Sequence, residues 1–468
     1  MRRTKIVATI GPACQDIETL TRMAEAGMDV ARLNFSHGDR EMHAENAELV
    51  RRAASAAGRQ VAILQDLPGP KIRIGRLEDD IAELKPGEKL ILLCGNNTVG
   101  NGEQMSVSWS GLASAVDPED IIYLADGAIR LRVKAVREGD GEVETAVEIG
   151  GTVASRQGLN IPGSTRGLPA VPEEDLDMLR FGESIGVDLV ALSFVRTAED
   201  VTSVRRHTRL PLIAKIEKPQ AVDAAEEIIR AADCVMVARG DLGIELPIED
   251  VPIVQKQLLR TAGKLARPAI TATQMLDSMV NSSRPTRAEV ADVANAILDG
   301  TDAVMLSQET AIGSYPVGAV QMMASVAERT EHTLPYRTWN EERVRRDARD
   351  PAYTVAYSAC AAARDLHLAA LVVPTLSGRS ARLISAHRPQ VPIYALSPGK
   401  ETVRRCSLMW GVQAGSMRRH EVTEALIADA ARRVVELGWV KPGARVGITA
   451  GLPSGRPGTT SLLQIQRV

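Results

Sequence analysis

Pro211-Leu212-Ile213-Ala214-Lys215-Ile216-Glu217 is an apolar run that ends in two opposite charges. Residues two apart on a strand share a face and lie about 6–7 Å apart. Lys215 and Glu217 therefore look into one site. The next apolar run, CVMVARGD at 234–241, delivers Asp241 from a neighbouring strand. On position alone, one ammonium and two carboxylates at adjacent strand ends fit two readings equally. One is a divalent-metal site beside a bound phosphate or oxyanion. Mg²⁺ suits it, since that ion takes oxygen ligands and keeps waters and substrate phosphates in its shell. The other is a structural ion pair with a solvated aspartate.

Working outward, similar runs recur: KIVATI (5–10), DVARLNF (29–35), QVAILQD (60–66), VDLVALSFV (187–195), PAITATQ (268–274) and DAVMLSQE (302–309). Helical patterns separate most of them. Thr286 to Asp299 opens with the capping box Thr286-x-x-Glu289 and continues with Val290, Val293, Ala294 and Ile297 at helical spacing. Fully apolar strands alternating with helices mean a parallel sheet covered on both faces. Eight such units predict a (β/α)8 TIM barrel, an α/β fold whose site lies at the C-terminal strand ends.

The polar residues gather at those ends. Arg32, Asn34, Ser36 and His37 follow strand two, and Asp66, Lys71 and Arg73 follow strand three. Ser193 and Arg196 follow strand four; Arg239 and Asp241 follow strand six. Thr271, Thr273 and Gln274 belong to strand seven, and Ser307 and Glu309 to strand eight. Arg32 and Lys215 lie inside apolar runs, which favours a site over ordinary loop polarity.

Composition excludes other classes. A net charge of −3 argues against a general nucleic-acid binder, and 3% aromatics against a base-stacking platform. The five cysteines, Cys14, Cys94, Cys234, Cys360 and Cys406, form no CxxC pair and read as reduced thiols. No apolar run approaches the roughly 20 residues that span a bilayer. MRRTKIVATIGP lacks a signal core. The expected location is cytoplasmic.

Residues 1–70 and 169–340 form the barrel. The interruption at 71–168 has a different texture: KLILLC, IIYLADG, AIRLRVKAV and EVETAVEIG are short strands between Gly, Asp, Asn and Pro turns. They predict a small inserted β-barrel domain, hung from the catalytic face either as a lid that excludes water or as a passive insertion. WNEERVRRDARDP reads as a linker or charged helix. Residues 341–468 then form a C-terminal α/β open-sheet domain with strands ALVVPTLSG, VPIYALS, VQAGSM and ARVGITAGLP. Thr375, Ser377, Gly378, Arg379 and Ser380 follow its first strand and precede a helix, a setting that binds phosphate or simply caps the helix. Arg456, in GLPSGRPGTTS, could complete an effector pocket.

TKIVATIGPA, ARLNFSHG, GPKIRIG, IAKIEKP, VARGDLGIE, TATQML, RPTRAEVADVANAILDGTDAVML and TLSGRSA occur in this order. Through them the chain closely resembles pyruvate kinase along nearly its whole length. The resemblance implies phosphoryl transfer from phosphoenolpyruvate to ADP, giving pyruvate and ATP, by an allosteric homotetramer. It implies Glu217 and Asp241 as Mg²⁺ (or Mn²⁺) carboxylates and Lys215 as the catalytic lysine. It gives Arg32 and Arg73 the phosphate, and the main chain of Ala238, Arg239 and Gly240, with Asp241, the substrate carboxylate. Thr273 would orient the proton donor, with Ser307 and Glu309 completing a relay. Asn34, His37, Arg73 and Arg156 would face the nucleotide.

The chain departs from the family pattern at several positions. Asn34, Ser36, Asp66 and Leu67 match a K⁺ site in relatives, but potassium-dependent members carry glutamate at the position of Lys71. An ammonium there can supply the ion's charge, so activity without K⁺ is expected. Leu376 replaces a lysine of relatives activated by fructose 1,6-bisphosphate, which points to a monophosphate effector. SRQG at 155–158 is less basic than the lid segment of many relatives. Gln308 stands where relatives have glycine.

Overall fold

The computed structural model describes residues 2–70, 72–125, 127–162, 171–344, 350–451 and 460–468, the side chain at 340 excepted. Lys71 and Arg456 lie outside them.

Eight parallel strands close into a barrel: Lys5–Thr9, Val30–Asn34, Ala62–Asp66, Leu189–Leu192, Leu212–Ile216, Cys234–Ala238, Ala269–Ala272 and Ala303–Leu306. Each pairs with its neighbours in sequence, and the first pairs with the eighth through Lys5↔Ala303. These are the eight runs expected, and their near-complete burial explains why they read as apolar rather than alternating. Two of them stop at left-handed turns. The fourth stops at Leu192, because Phe194 turns to a left-handed φ of 56°. The seventh stops at Ala272, where Thr273 and Gln274 take φ of 71° and 52°. Hydropathy records burial and carries no trace of these turns.

The helix Arg287–Leu298 carries the expected reciprocal cap: Glu289 N donates to Thr286 Oγ1 (3.2 Å) and Thr286 N to Glu289 Oε2 (2.7 Å). Val293 and Ile297 face the core.

The insertion leaves after strand three. It builds a six-stranded sheet, in the order Leu159–Asn160, Ile121–Leu124, Ile129–Arg137, Glu142–Ile149, Lys89–Cys94 and Gln104–Val107. A two-stranded ribbon, Ile81–Leu84 with Gly151–Ala154, completes it. The insertion has its own apolar core. Gly69 N donates to Asp175 Oδ2 (2.8 Å), which ties the chain entering the lid to the helix Glu173–Ser184 that follows it. Gly69 has φ +69°, and a Cβ there would meet Phe194 at 2.9 Å, so glycine is required.

The C-terminal sheet has the order Val412–Ser416, Ile393–Ser397, Ala370–Pro374, Arg445–Gly451, Thr460–Arg467. The first four are the expected parallel strands. The fifth is antiparallel and was not anticipated: it is a half-exposed edge in which polar residues interrupt Leu462, Leu463 and Ile465. Arg388 fixes this domain under the barrel. Its side chain is fully buried, stacks over Trp410 and donates to Asp302 Oδ1 (2.8 Å) just before strand eight. Arg404 pairs with Asp188 (2.6 Å) before strand four. Among the described residues no helix is long and apolar enough to cross a membrane.

Candidate active site

Strand register sets the site. Asn34 pairs with Asp66, and Asp66 with Ala191, so the ends of strands two, three and four stand level. Lys215, one residue before the end of strand five, projects into that rim. Its Nζ lies 2.8 Å from Glu217 Oε1, 3.4 Å from Asp66 Oδ1 and 2.8 Å from Ser193 Oγ. Arg32 Nε donates to Asp66 Oδ2 (2.7 Å) and its NH1 to Thr9 Oγ1 (3.0 Å). Glu217 Oε2 accepts the Phe194 amide (2.6 Å), which gives the left-handed turn at Phe194 a purpose.

The charges are strongly coupled. Burial alone would push the Lys215 ammonium down, but Asp66, Glu217 and Asp241 outweigh it and hold the group charged. Burial likewise opposes the Asp66 charge, yet Lys215 and Arg32 keep its carboxyl below the usual range. Glu217 is 1% exposed, and burial, reinforced by the charge of Asp241 and opposed by Lys215, pushes it up to about 7. A buried carboxylate raised in this way beside a second carboxylate fits a divalent cation, which would relieve both the burial and the repulsion. Among the described residues no three His, Cys, Asp or Glu side chains could form a cage. Two carboxylates, with water and substrate oxygens in the other positions, is the coordination Mg²⁺ prefers.

Other predicted residues have more structural surroundings. Thr273 Oγ1 accepts the Gly240 amide (2.7 Å) and donates to Ala272 O (2.6 Å), coupling strand seven to the segment that holds Asp241. The Arg239 guanidinium bridges Asp292 (2.7 Å) and Thr273 O (2.7 Å), so its side chain is a strut. Buried Glu309 accepts the amides of Leu276 (3.0 Å) and Ser307 (2.6 Å), binding the loop after strand seven to strand eight, and burial raises its carboxyl. That geometry is closer to a brace than a proton relay. Asn34 Oδ1 accepts Ser36 N (3.2 Å), and its carbonyl accepts His37 N (3.3 Å), so Asn34 to His37 form one turn at the rim. The Leu67 carbonyl accepts Ser193 Oγ (2.7 Å). Arg73 NH1 donates to Arg156 O (2.9 Å) at the base of the lid rather than to the Asp66 cluster.

Three contributors escaped the sequence reading. Thr9 sits at the end of strand one without a charge to mark it. The Phe194 amide is main chain. Lys218 and Glu245 form a buried ion pair behind Glu217 and Asp241, with side chains 6% and 1% exposed. The adjacent Glu217-Lys218 in AKIEKP was the available signal.

The family model for the pyruvate kinase barrel domain matches residues 1–320, and that for the pyruvate kinase alpha/beta domain matches residues 353–466. The chain belongs to the pyruvate kinase family. It is 44% identical over 470 residues to a pyruvate kinase of Geobacillus stearothermophilus, covering 99% of this chain and 80% of that one. A Staphylococcus aureus pyruvate kinase is 42% identical over 473 residues, covering 100% and 81%. The crystal structure of a pyruvate kinase from Cryptosporidium parvum superposes with a TM-score of 0.92 at 34% identity, covering 100% of this chain and 96% of that one. As a pyruvate kinase family member the chain is a phosphotransferase.

Proposed function

We propose that the strand-end cluster transfers the phosphoryl group of phosphoenolpyruvate to ADP, giving pyruvate and ATP in the last step of glycolysis. The observation that carries this reading is Lys215, an ammonium held between Asp66, Glu217 and Ser193 and aimed at the open barrel end. In the transfer, the bond from phosphorus to the enol oxygen breaks and one to a terminal oxygen of ADP forms. The electron pair stays on the enol oxygen, and the enolate carbon then takes a proton.

Lys215 stabilises the migrating phosphoryl group and the enolate oxygen. Arg32 keeps one guanidinium nitrogen without a partner among the described residues and offers it to the phosphate. Arg73 reaches the phosphate from the lid side, with Arg156 beside it facing the nucleotide. The main chain at Ala238, Arg239 and Gly240 lies beside the substrate carboxylate. The Thr273 hydroxyl is engaged at both its donor and its acceptor, so it orients a water that delivers the proton rather than giving its own. Mg²⁺ or Mn²⁺ on Glu217 and Asp241 would offset negative charge on the substrate oxygens. Asn34 and His37 face ADP from the strand-two turn.

The Lys71 ammonium takes the place of a K⁺ ion beside Asn34, Ser36, Asp66 and Leu67. The loop of Thr375, Ser377, Gly378, Arg379 and Ser380, with Arg456, takes a phosphorylated effector. Supporting this, Gly378 adopts φ 81° and donates its amide to Thr375 Oγ1 (3.0 Å), and Ser380 bonds Thr460 across to the last strand. The working form is a cytoplasmic homotetramer.

The metal reading is tested by titrating Mn²⁺ and following water-proton relaxation. Glu217→Gln and Asp241→Asn should each weaken binding at least about tenfold and abolish turnover. Unchanged affinity in both would remove the metal from this site.

A further inference from the structure

The N-terminal face of the barrel and the C-terminal domain enclose a cleft of about 450 Å³, a volume suited to a small ligand. Arg205, Arg209, Arg267, Arg379, Arg382 and Arg405 line it, and Asp233 is the acidic residue among the lining side chains. Three of these arginines meet a carboxylate: Arg205 pairs with Asp233, Arg379 with Asp350 and Arg405 with Glu401. Among the described residues the other three do not. Arg267 and Arg382 donate to main-chain carbonyls, of Arg230 (3.0 Å) and Ala266. Arg209 is exposed and bonds no described residue. The Arg405 Nε is buried without a hydrogen-bond partner.

Gathering this much positive charge in a half-enclosed space is unfavourable. Burial first, then Arg267 and Arg379, push the Arg382 guanidinium down to about 10. Arg267 moves the same way, through burial and then Arg205 and Arg379, against the pull of Asp233. An anion would relieve this, and guanidinium forks match phosphate oxygens. One wall is apolar, made by Leu189, Pro268, Leu408 and Met409.

We propose that this cleft is a second anion site that takes an organic phosphate monoester, its phosphate among Arg209, Arg267 and Arg382 and its body against the apolar wall. The cleft touches Leu189 and Cys234, which begin strands four and six, and Pro211 and Pro268, which precede strands five and seven. Those four strands lead at their other ends to Ser193, Lys215, Asp241 and Thr273. An occupant therefore bears at once on the C-terminal domain and on the strands that set the active site. Five of the six arginines lie outside the effector loop, which gives the cleft only Ser377, Gly378 and Arg379. The cleft does not depend on the loop reading, nor on phosphoryl transfer.

The test is isothermal titration of the full chain without substrate or metal, using inorganic phosphate, ribose 5-phosphate and adenosine monophosphate, with sodium chloride at matched ionic strength. The expected result is saturable one-to-one binding of an organic phosphate, tighter than inorganic phosphate. It should be weakened at least about tenfold by Arg209→Ala and by Arg267→Met and changed less than about twofold by Ser380→Ala. Arg209 is exposed and bonds no described residue, so its variant should fold normally, as a melting curve will show. No saturable binding above the chloride control would overturn the site. So would binding indifferent to both arginine variants, or binding lost in Ser380→Ala, which would assign the phosphate to the loop.

Discussion

Lys215 Nζ and Glu217 Oε1 stand 2.8 Å apart at the C-terminal end of the fifth barrel strand, both side chains nearly buried. The pair is spaced by the two-residue strand period, so the strand itself sets the alignment. Asp66 and Ser193 approach the same ammonium from strands three and four. Removing the charge while keeping the bulk isolates its contribution. Lys215→Met should lower turnover about 10³-fold, in line with losing one preorganised electrostatic partner of a transition state. Steady-state kinetics would show it, and a loss smaller than tenfold would take Lys215 out of the chemistry.

Lys218 and Glu245 link the segments that carry Glu217 and Asp241, the two carboxylates proposed to hold the metal. Lys218 follows Glu217 directly, and Glu245 ends the short helix Arg239–Glu245 that contains Asp241. Lys218→Met takes the ammonium away from the buried Glu245 carboxylate, and should destabilise the fold by about 3 kcal/mol. Replacing both residues by methionine should recover most of that stability. Mn²⁺ affinity should stay weakened in the double variant, because the direct link between the two segments is gone. Urea melts and Mn²⁺ titrations on the same samples separate the effects; wild-type affinity in the double variant would make the pair purely structural.

Lys71→Glu should create a requirement for K⁺. The measurement is turnover in K⁺ against Na⁺ for both proteins. A variant equally active in the two salts would show that Lys71 does not stand in for the ion.

At the other end of the barrel, Asp29 is buried among Arg2 (2.7 Å), Lys5 (3.8 Å) and Arg59 (3.8 Å). Burial opposes its charge, but the three cations outweigh it and hold the carboxyl below its ordinary 3.8. A carboxyl depressed by folding contributes stability that is complete above the unfolded value and fades as pH falls through the folded one. Asp29→Asn should therefore cost about 3 kcal/mol at pH 7, and the gap to wild type should narrow only below about pH 4. Denaturant melts at several pH values check this. A gap that does not change with pH would mean the Asp29 charge is not what stabilises this corner.

The barrel was legible because each of its strands is buried on both faces, and burial is what an apolar run such as KIVATI or CVMVARG records. Lys215, Glu217 and Asp241 were legible as charges interrupting that pattern, and the capping box at Thr286 and Glu289 by spacing alone. What stayed hidden was conformation and partnership. The left-handed turns at Phe194 and Thr273 fall within apolar runs and shorten the strands without changing their hydropathy. The Arg239 side chain is held by Asp292, more than fifty residues away, a partnership that no local pattern shows. The last strand, Thr460–Arg467, is a half-exposed edge in which polar residues break up the apolar ones. The arginines of the interdomain cleft are scattered between Arg205 and Arg405, and only the docking of the two domains brings them together.

The most direct measurement of the central claim is pyruvate formation from phosphoenolpyruvate and ADP with Mg²⁺, run in parallel in K⁺ and in Na⁺ and repeated with a chelator. Turnover equal in the two salts and abolished by the chelator is the predicted result. Absence of turnover in both salts, from folded protein that still binds Mn²⁺, would contradict the assignment of phosphoryl transfer to the strand-end cluster.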